Sequence, residues 1–262
     1  MESALEEIEF LTLSPNRVRI LSLLATEPHT RRELVAKTGA SQPTLSRILS
    51  DFEERNWITR ENSDYMATAT GRLVANGFGE LLSVIETEAK LRPVVRWLPA
   101  DVLTFDLSHL AEATITMPTQ VRPNAPVKRV VTLLQQATDV RIVSYAFNEQ
   151  SLDVVQKRTG AGDQQFKGVF SKSAIDALAD DSQLRMRLEA LMATEGVEIR
   201  MTDDDLPLAA TIADEAVHLF LRDDSGLVQA ALDTDDTVVR TWANELFTEQ
   251  WEAAEPVTLG EH

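Results

Sequence analysis

The sequence contains no cysteine, so neither a disulfide framework nor a thiolate metal site can form. No apolar run approaches the roughly 18 residues that a membrane-spanning helix needs. The opening residues, MESALEEIEF, are acidic where an export leader would be basic. These absences predict a cytoplasmic chain with no membrane association. Histidine is sparse, at His29, His109, His218 and His262, with no spacing that would gather a metal. His218 alternates within an apolar strand and reads as a core or edge histidine. The only glycine-rich turn, Thr159-Gly160-Ala161-Gly162, is too short for a phosphate loop and lacks the downstream lysine. No metal and no cofactor are expected.

Basic charge is also in short supply. Lys and Arg number 25 against 42 Asp and Glu, a formal charge of −17, and such a balance ordinarily opposes binding to a phosphate backbone. The charge is uneven, however. Residues 1–76 hold 9 basic and 11 acidic side chains, whereas residues 77–262 hold 16 and 31. Few lysines beside many carboxylates resemble the proteins of salt-accumulating archaea, whose acidic surfaces keep them soluble. At such salt, screening shortens electrostatic reach to about 3 Å at 1 M. A few arginine and backbone N–H contacts then outweigh the charge of a whole domain. The clusters Asp203-Asp204-Asp205 and Asp235-Asp236 could attract a hard cation. In so acidic a chain they read as solvated surface.

What is present centres on His29–Arg60, HTRRELVAKTGASQPTLSRILSDFEERNWITR. A short amphipathic helix over Arg31–Lys37 ends at Thr38-Gly39-Ala40, where Gly39 can adopt the positive φ of a sharp corner. Ser41 is a good N-cap, and Pro43 is tolerated in the first turn. Leu45, Ile48, Leu49 and Phe52 then form one apolar face, while Gln42, Thr44, Ser46, Arg47 and Ser50 form a compact polar one. Such a face suits a helix that enters the major groove of duplex DNA. Pro15–Ala25 supplies a third helix. Trp57–Arg60 and Tyr65–Thr68 read as strands about the turn Glu61–Asp64. Residues from Pro15 to about Gly71 resemble the winged helix-turn-helix domains of the ArsR, MarR and TrmB regulators. The resemblance implies binding of double-stranded DNA, with Gln42, Thr44, Ser46 and Arg47 facing base edges and Arg60 meeting phosphate from the wing.

A helical connection is expected over Thr70–Leu98, interrupted or kinked near its end at Pro93. Its stripe, with Leu81, Leu82 and Ile85 at the centre, is the expected dimerisation seam, since operators with two half-sites demand two heads. The alternative is that the stripe packs only on its own C-terminal domain. The predicted organisation is a DNA-binding domain over 1–72, a linker or dimerisation helix over 73–98, and an α/β effector-sensing or assembly domain over 99–262.

In that last part, strands are expected over Ala113–Pro118, Val140–Phe147, Gln165–Phe170 and Val197–Met201, and then a meander through Leu208–Leu232. Helices are expected over Val127–Thr138, Lys172–Ala193 and Asp236–Glu252. The alternation predicts a mixed α/β sandwich. The tract VRWLP (Val95–Pro99) followed by this pattern resembles haloarchaeal and methanogen regulators carrying a FilR1 middle domain. It is also similar to the effector domain of TrmB-like regulators, which implies a phospholipase-D-like sheet without catalysis. Phospholipase-D chemistry needs a histidine followed two residues later by lysine. The positions two after His29, His109 and His218 are Arg31, Ala111 and Phe220. No enzyme is therefore expected.

Basic groups at strand ends are rare in this half. Ser144 and Arg200 are singled out because loops beyond strand C-termini frame ligand crevices. Arg200 could hold a carboxylate or phosphate in a bidentate fork. A small anionic metabolite is the expected ligand. The sequence thus reads as a homodimeric, metabolite-modulated DNA-binding regulator. The alternative reading is a protein-interaction module that contacts the transcription machinery without reading an operator.

Overall fold

The computed structural model describes residues 1–146, 148–203, 206 and 208–257. It divides into two compact units, Met1–Glu86 and Thr87–His262.

In the first unit, α1 (Glu2–Thr12) and α2 (Pro15–Thr26) precede the helix pair α3 (Arg31–Thr38) and α4 (Gln42–Glu54). A small antiparallel sheet of order β1-β3-β2 joins His29–Thr30, Asp64–Ala67 and Ile58–Glu61. The two-residue β1, unforeseen in the sequence, ties the entry of α3 to the hairpin through His29↔Tyr65 and Thr30↔Asp64. Ser14 starts α2 by accepting from Asn16 N at 3.3 Å, with Pro15 at the first helical position. Ile20, Leu21, Leu24, Leu34, Leu45, Ile48, Leu49 and Phe52 are almost fully buried together. Each such side chain removed from water stabilises the unit by about 1.5–3 kcal/mol. Phe10, Phe52 and Trp57 add mutual ring contacts at centroid distances of 5.8 to 6.1 Å.

The helix α5 spans Ala69–Leu91. A Cβ on Gly71 would lie 1.8 Å from the Trp57 carbonyl oxygen, so only glycine lets the helix start against the hairpin backbone. Of the two outcomes expected at Pro93, interruption is the one observed. Pro93 disfavours helical geometry at the residue before it. α5 stops ahead of it, and Val95–Trp97 forms a separate 3-10 turn.

The second unit is built on an eight-stranded sheet of order β11-β7-β6-β5-β8-β9-β10-β4. In chain order the strands are β4 (Thr114–Thr116), β5 (Asp139–Ser144), β6 (Gln165–Ser171) and β7 (Val197–Thr202). There follow β8 (Ala209–Ala213), β9 (Ala216–Arg222), β10 (Val228–Thr234) and β11 (Glu255–Pro256). β5, β6 and β7 are mutually parallel, and the remaining pairings are antiparallel. α6 (Ala125–Gln136), α7 (Glu149–Gly160), α8 (Lys172–Asp180) and α9 (Ser182–Met192) share a core with one sheet face, around Leu134, Leu152, Phe166, Phe170 and Leu188. α10 (Thr237–Ala253) covers the other face, around Val143, Val169, Leu219, Leu232 and Phe247. Trp242 of α10 donates from Nε1 to the Val102 carbonyl at 3.1 Å.

Several boundaries differ from expectation. β5 ends at Ser144, and Phe147 lies outside the described residues. The single or double helix expected over Lys172–Ala193 is two helices. They break at Asp181, whose carboxylate caps α9 by accepting from Gln183 N at 2.8 Å and Leu184 N at 3.1 Å. α7 and the edge strand β11 were not foreseen.

The corner between β8 and β9 is held by Asp214, at φ 52°. Its carboxylate accepts from Thr138 Oγ1 at 3.0 Å and Asp139 N at 2.9 Å, which fastens the meander to the start of β5. Burial alone would raise its pKa, but the bonds from Asp139 and Thr138, with Arg158 nearby, hold it below the ordinary carboxylate range. A depressed folded-state pKa gives stability that is present above the unfolded value and lost as pH falls through the folded one. Asp214→Asn should therefore cost about 1 kcal/mol at neutral pH, a small figure because the site is screened by solvent. In denaturant titrations the difference from the parent should close once the medium is acid enough to protonate Asp214.

Candidate functional site

Local sequence rules fix the helix pair. Thr30 caps α3 by accepting from Glu33 N at 3.3 Å, and Glu33 Oε2 accepts in return from Thr30 N at 2.8 Å. The same bond from the Thr30 backbone depresses the Glu33 pKa. Gly39 ends the helix in the left-handed region at φ 69°, donating to the Val35 carbonyl at 2.9 Å. Ser41 then caps α4 by accepting from Thr44 N at 3.3 Å. Leu45, Ile48, Leu49 and Phe52 turn inward.

With about 100° between successive residues, those four occupy one side of α4, and Ser46, Arg47 and Ser50 lie opposite. Gln42, Ser46 and Arg47 are exposed and Thr44 is half-buried. Two of these groups already have partners. Thr44 Oγ1 and Ser41 Oγ are hydrogen-bonded at 2.8 Å, and Ser46 Oγ donates to the Gln42 carbonyl at 2.9 Å while accepting from Arg31. The Arg47 guanidinium has no partner among the described residues. On the hairpin, Arg60 donates from Nε to the Asn62 carbonyl at 3.0 Å and stands 5.4 Å from the Tyr65 ring.

Three other arginines of this unit serve the fold. Arg17 is buried, donating to the Phe10 carbonyl at 2.7 Å and to Asp51 at 2.8 Å. Arg55 pairs with Glu7 at 2.8 Å, and Arg72 donates to the Ala67 carbonyl at 2.8 Å. Sequence reasoning missed Arg31, which reaches across the pair to Ser46, and Arg32, which is exposed beside it without a partner among the described residues. The Arg-Arg doublet directly after the Thr30 cap was the available signal.

On α5, Leu81, Leu82 and Ile85 are all exposed, at 42, 38 and 55 %, and Val84 joins them. In the second unit the structure does not bring Ser144 and Arg200 into one cavity. Ser144 ends β5, donates to the Ala146 carbonyl at 2.8 Å, and lines a cavity of about 60 Å³. Arg200 donates to the Trp251 carbonyl at 2.8 Å, with its guanidinium 4.3 Å from that indole ring. Arg200 is therefore engaged by α10, and among the described residues no charged one lines the cavity at Ser144. A second space of about 350 Å³ lies against Trp97, Tyr145, Arg222 and Asp223. There the Arg222 guanidinium covers the Tyr145 ring at 3.5 Å, and burial pushes the Tyr145 hydroxyl above its usual pKa.

Among the described residues no group of three or more His, Asp or Glu is placed to hold a metal ion. Asp204, Asp205 and His262 lie outside those residues. No helix among them is long and apolar enough to cross a membrane.

Residues 5–90 match the family described as the HVO_A0261 N-terminal domain. Residues 123–253, half of the chain, match the family described as methanogenesis regulatory protein FilR1, middle domain. The chain belongs to the FilR1 middle-domain family. This FilR1-type protein is similar to TrmBL2, described as an archaeal chromatin protein, at 18 % identity and a TM-score of 0.43, over 95 % of this chain and 98 % of that one. Distant likenesses to NucT from Helicobacter pylori and to the phospholipase D family member Nuc from Salmonella typhimurium cover 55 % of this chain and 98 % of each of theirs. Their identities are 12 and 14 %, and their TM-scores 0.44 and 0.42. No curated protein matches the sequence.

Proposed function

We propose that this FilR1-family protein is a sequence-specific regulator of transcription. Its first unit is read as a winged helix-turn-helix that enters the major groove of duplex DNA with α4. The second unit is read as a non-catalytic, phospholipase-D-like α/β domain that senses a small metabolite, and α5 as the seam of a homodimer. The observation that carries the DNA-reading role is the outward face of α4. It presents Gln42 and an unpartnered Arg47 between short hydroxyl side chains, while Arg17, Arg55 and Arg72 are engaged inside the fold. Arg47 and Gln42 have the donor patterns that recognise guanine and adenine edges. Arg31, Arg32 and Arg60 would add phosphate contacts that hold register without reading sequence.

The net charge of −17 favours a second reading, a module that contacts protein rather than DNA. Immunoprecipitation mapping of bound DNA, followed by footprinting with purified protein in multimolar KCl, separates the two. The regulator should protect sites with two half-sites roughly one helical turn apart. Absence of any protected site would leave the protein-contact reading.

A further inference from the structure

This inference rests on the sensing role proposed for the second unit and names the ligand class and the place it binds. β5 and β9 both run antiparallel to β8, which lies between them, so their carboxyl ends emerge together on either side of the start of β8. β5 is also where the sheet changes character, with parallel β6 on one side and antiparallel β8 on the other. In open α/β sheets ligands bind outside strand carboxyl ends at such a change of winding. Tyr145 directly follows β5, Arg222 is the last residue of β9, and the two side chains meet across the start of β8. The space of about 350 Å³ opens beside them. Small-molecule sites occupy about 300–1,000 Å³, so this one can admit a metabolite.

The lining carries both signs of charge. The Arg222 guanidinium is held over the Tyr145 ring at 3.5 Å, and its Nη2 donates to the Leu206 carbonyl at 3.3 Å. It has no other partner among the described residues. Nη2 carries two N–H groups, so one of them spent on Leu206 still leaves a two-donor edge for a carboxylate. Two acids stand beside it, and they differ. Asp223 is committed to its own turn, accepting from Ser225 N at 2.9 Å, Ser225 Oγ at 2.6 Å, Leu227 N at 3.1 Å and Gln229 Nε2 at 2.6 Å. Asp224 is exposed and has no partner among the described residues. Trp97, Leu208 and Phe220 supply an apolar wall. A plain anion entering here would gain Arg222 and be repelled by the acids, and a plain cation would meet the reverse. A molecule with a carboxylate and an ammonium a few ångströms apart satisfies both ends.

We infer that this crevice binds a free α-amino acid with an apolar side chain. Its carboxylate lies on the open edge of Arg222, its ammonium faces Asp224, and its side chain packs against Trp97, Leu208 and Phe220. The Tyr145 ring is the platform that holds the guanidinium.

The test uses the full chain, without DNA, in concentrated KCl. L-Leucine and L-phenylalanine are titrated by calorimetry while the indole N–H resonance of Trp97, assigned through Trp97→Phe, is followed by NMR. At least one of them should bind saturably and shift that resonance. 3-Phenylpropionate, which lacks the ammonium, and 2-phenylethylamine, which lacks the carboxylate, should each bind at least tenfold more weakly than phenylalanine. Arg222→Gln should weaken the amino acid at least tenfold. Asp224→Asn changes an exposed residue and leaves the fold intact, so it carries the test should Arg222→Gln unfold. It should weaken the amino acid about threefold or more and leave 3-phenylpropionate no weaker than in the parent. Binding of neither amino acid, equal binding of either analogue, or parental amino-acid affinity in Arg222→Gln or in Asp224→Asn would each overturn the inference. Because the readout is free of DNA, loss of the regulator reading by footprinting and loss of amino-acid binding are separate results.

Discussion

Arg47→Ala should lower affinity for the protein's own operator by roughly 5- to 150-fold, the 1–3 kcal/mol of a bidentate arginine–guanine contact. Affinity for unrelated duplexes should change far less. Arg47 stands on the side of α4 opposite the buried Leu45, Ile48, Leu49 and Phe52, and no partner holds it. Removing it opens no cavity and orphans no buried group, so stability should stay within about 0.5 kcal/mol of the parent. Arg60→Ala is the comparison. A phosphate contact carries no sequence information, so its loss should weaken every duplex alike and shallow the salt dependence by about one counterion. Competition footprinting of both variants against operator and scrambled DNA makes the distinction. If Arg47→Ala protects the operator with parental affinity and preference, α4 does not read bases through this residue.

The helix pair was legible because its determinants are local. Gly39, Ser41 and Pro43 act within a few residues of where they stand, and the inward face of α4 is set by the helical period. The role of Arg17 was not, since it depends on Asp51, 34 residues away, and on the face of Phe10. α7 escaped notice because only Leu152, Val155 and Thr159 of its twelve residues are buried, too thin a stripe to stand out from a polar loop. β11 is two residues long and contains proline, which an edge strand tolerates. Strand-end logic located a cavity at Ser144 but joined it to the wrong partner. Arg200 is captured by Trp251, 51 residues later, and nothing near Arg200 announces that.

With α5 as the proposed homodimer seam, Leu82→Glu should leave a 29.1 kDa monomer at micromolar concentration and cost operator affinity at least about 100-fold. Leu81, Leu82 and Ile85 are all exposed on α5, and three large apolar side chains clustered on one helix mark an association surface more than a solvated one. Each is already about half buried, so covering it against a second copy contributes about 1 kcal/mol before the cost of association. A glutamate at the centre of that seam would have to shed its hydration without a partner. The fold itself should survive, because Leu82 is already 38 % exposed. Operator affinity falls steeply because the second head binds at the high effective concentration set by the first, an advantage of 10²–10⁴ that separated heads lose. Concentrated KCl sharpens the experiment. It screens surface ion pairs to within a few ångströms and leaves apolar association intact, so a salt-resistant dimer points to the leucine seam rather than to charge pairs. Light scattering at high and low KCl reads the outcome directly. A dimer of unchanged mass in Leu82→Glu would place the subunit interface elsewhere, whereas Leu82→Met, which keeps the volume and polarity of the site, should leave both mass and operator affinity at parental values.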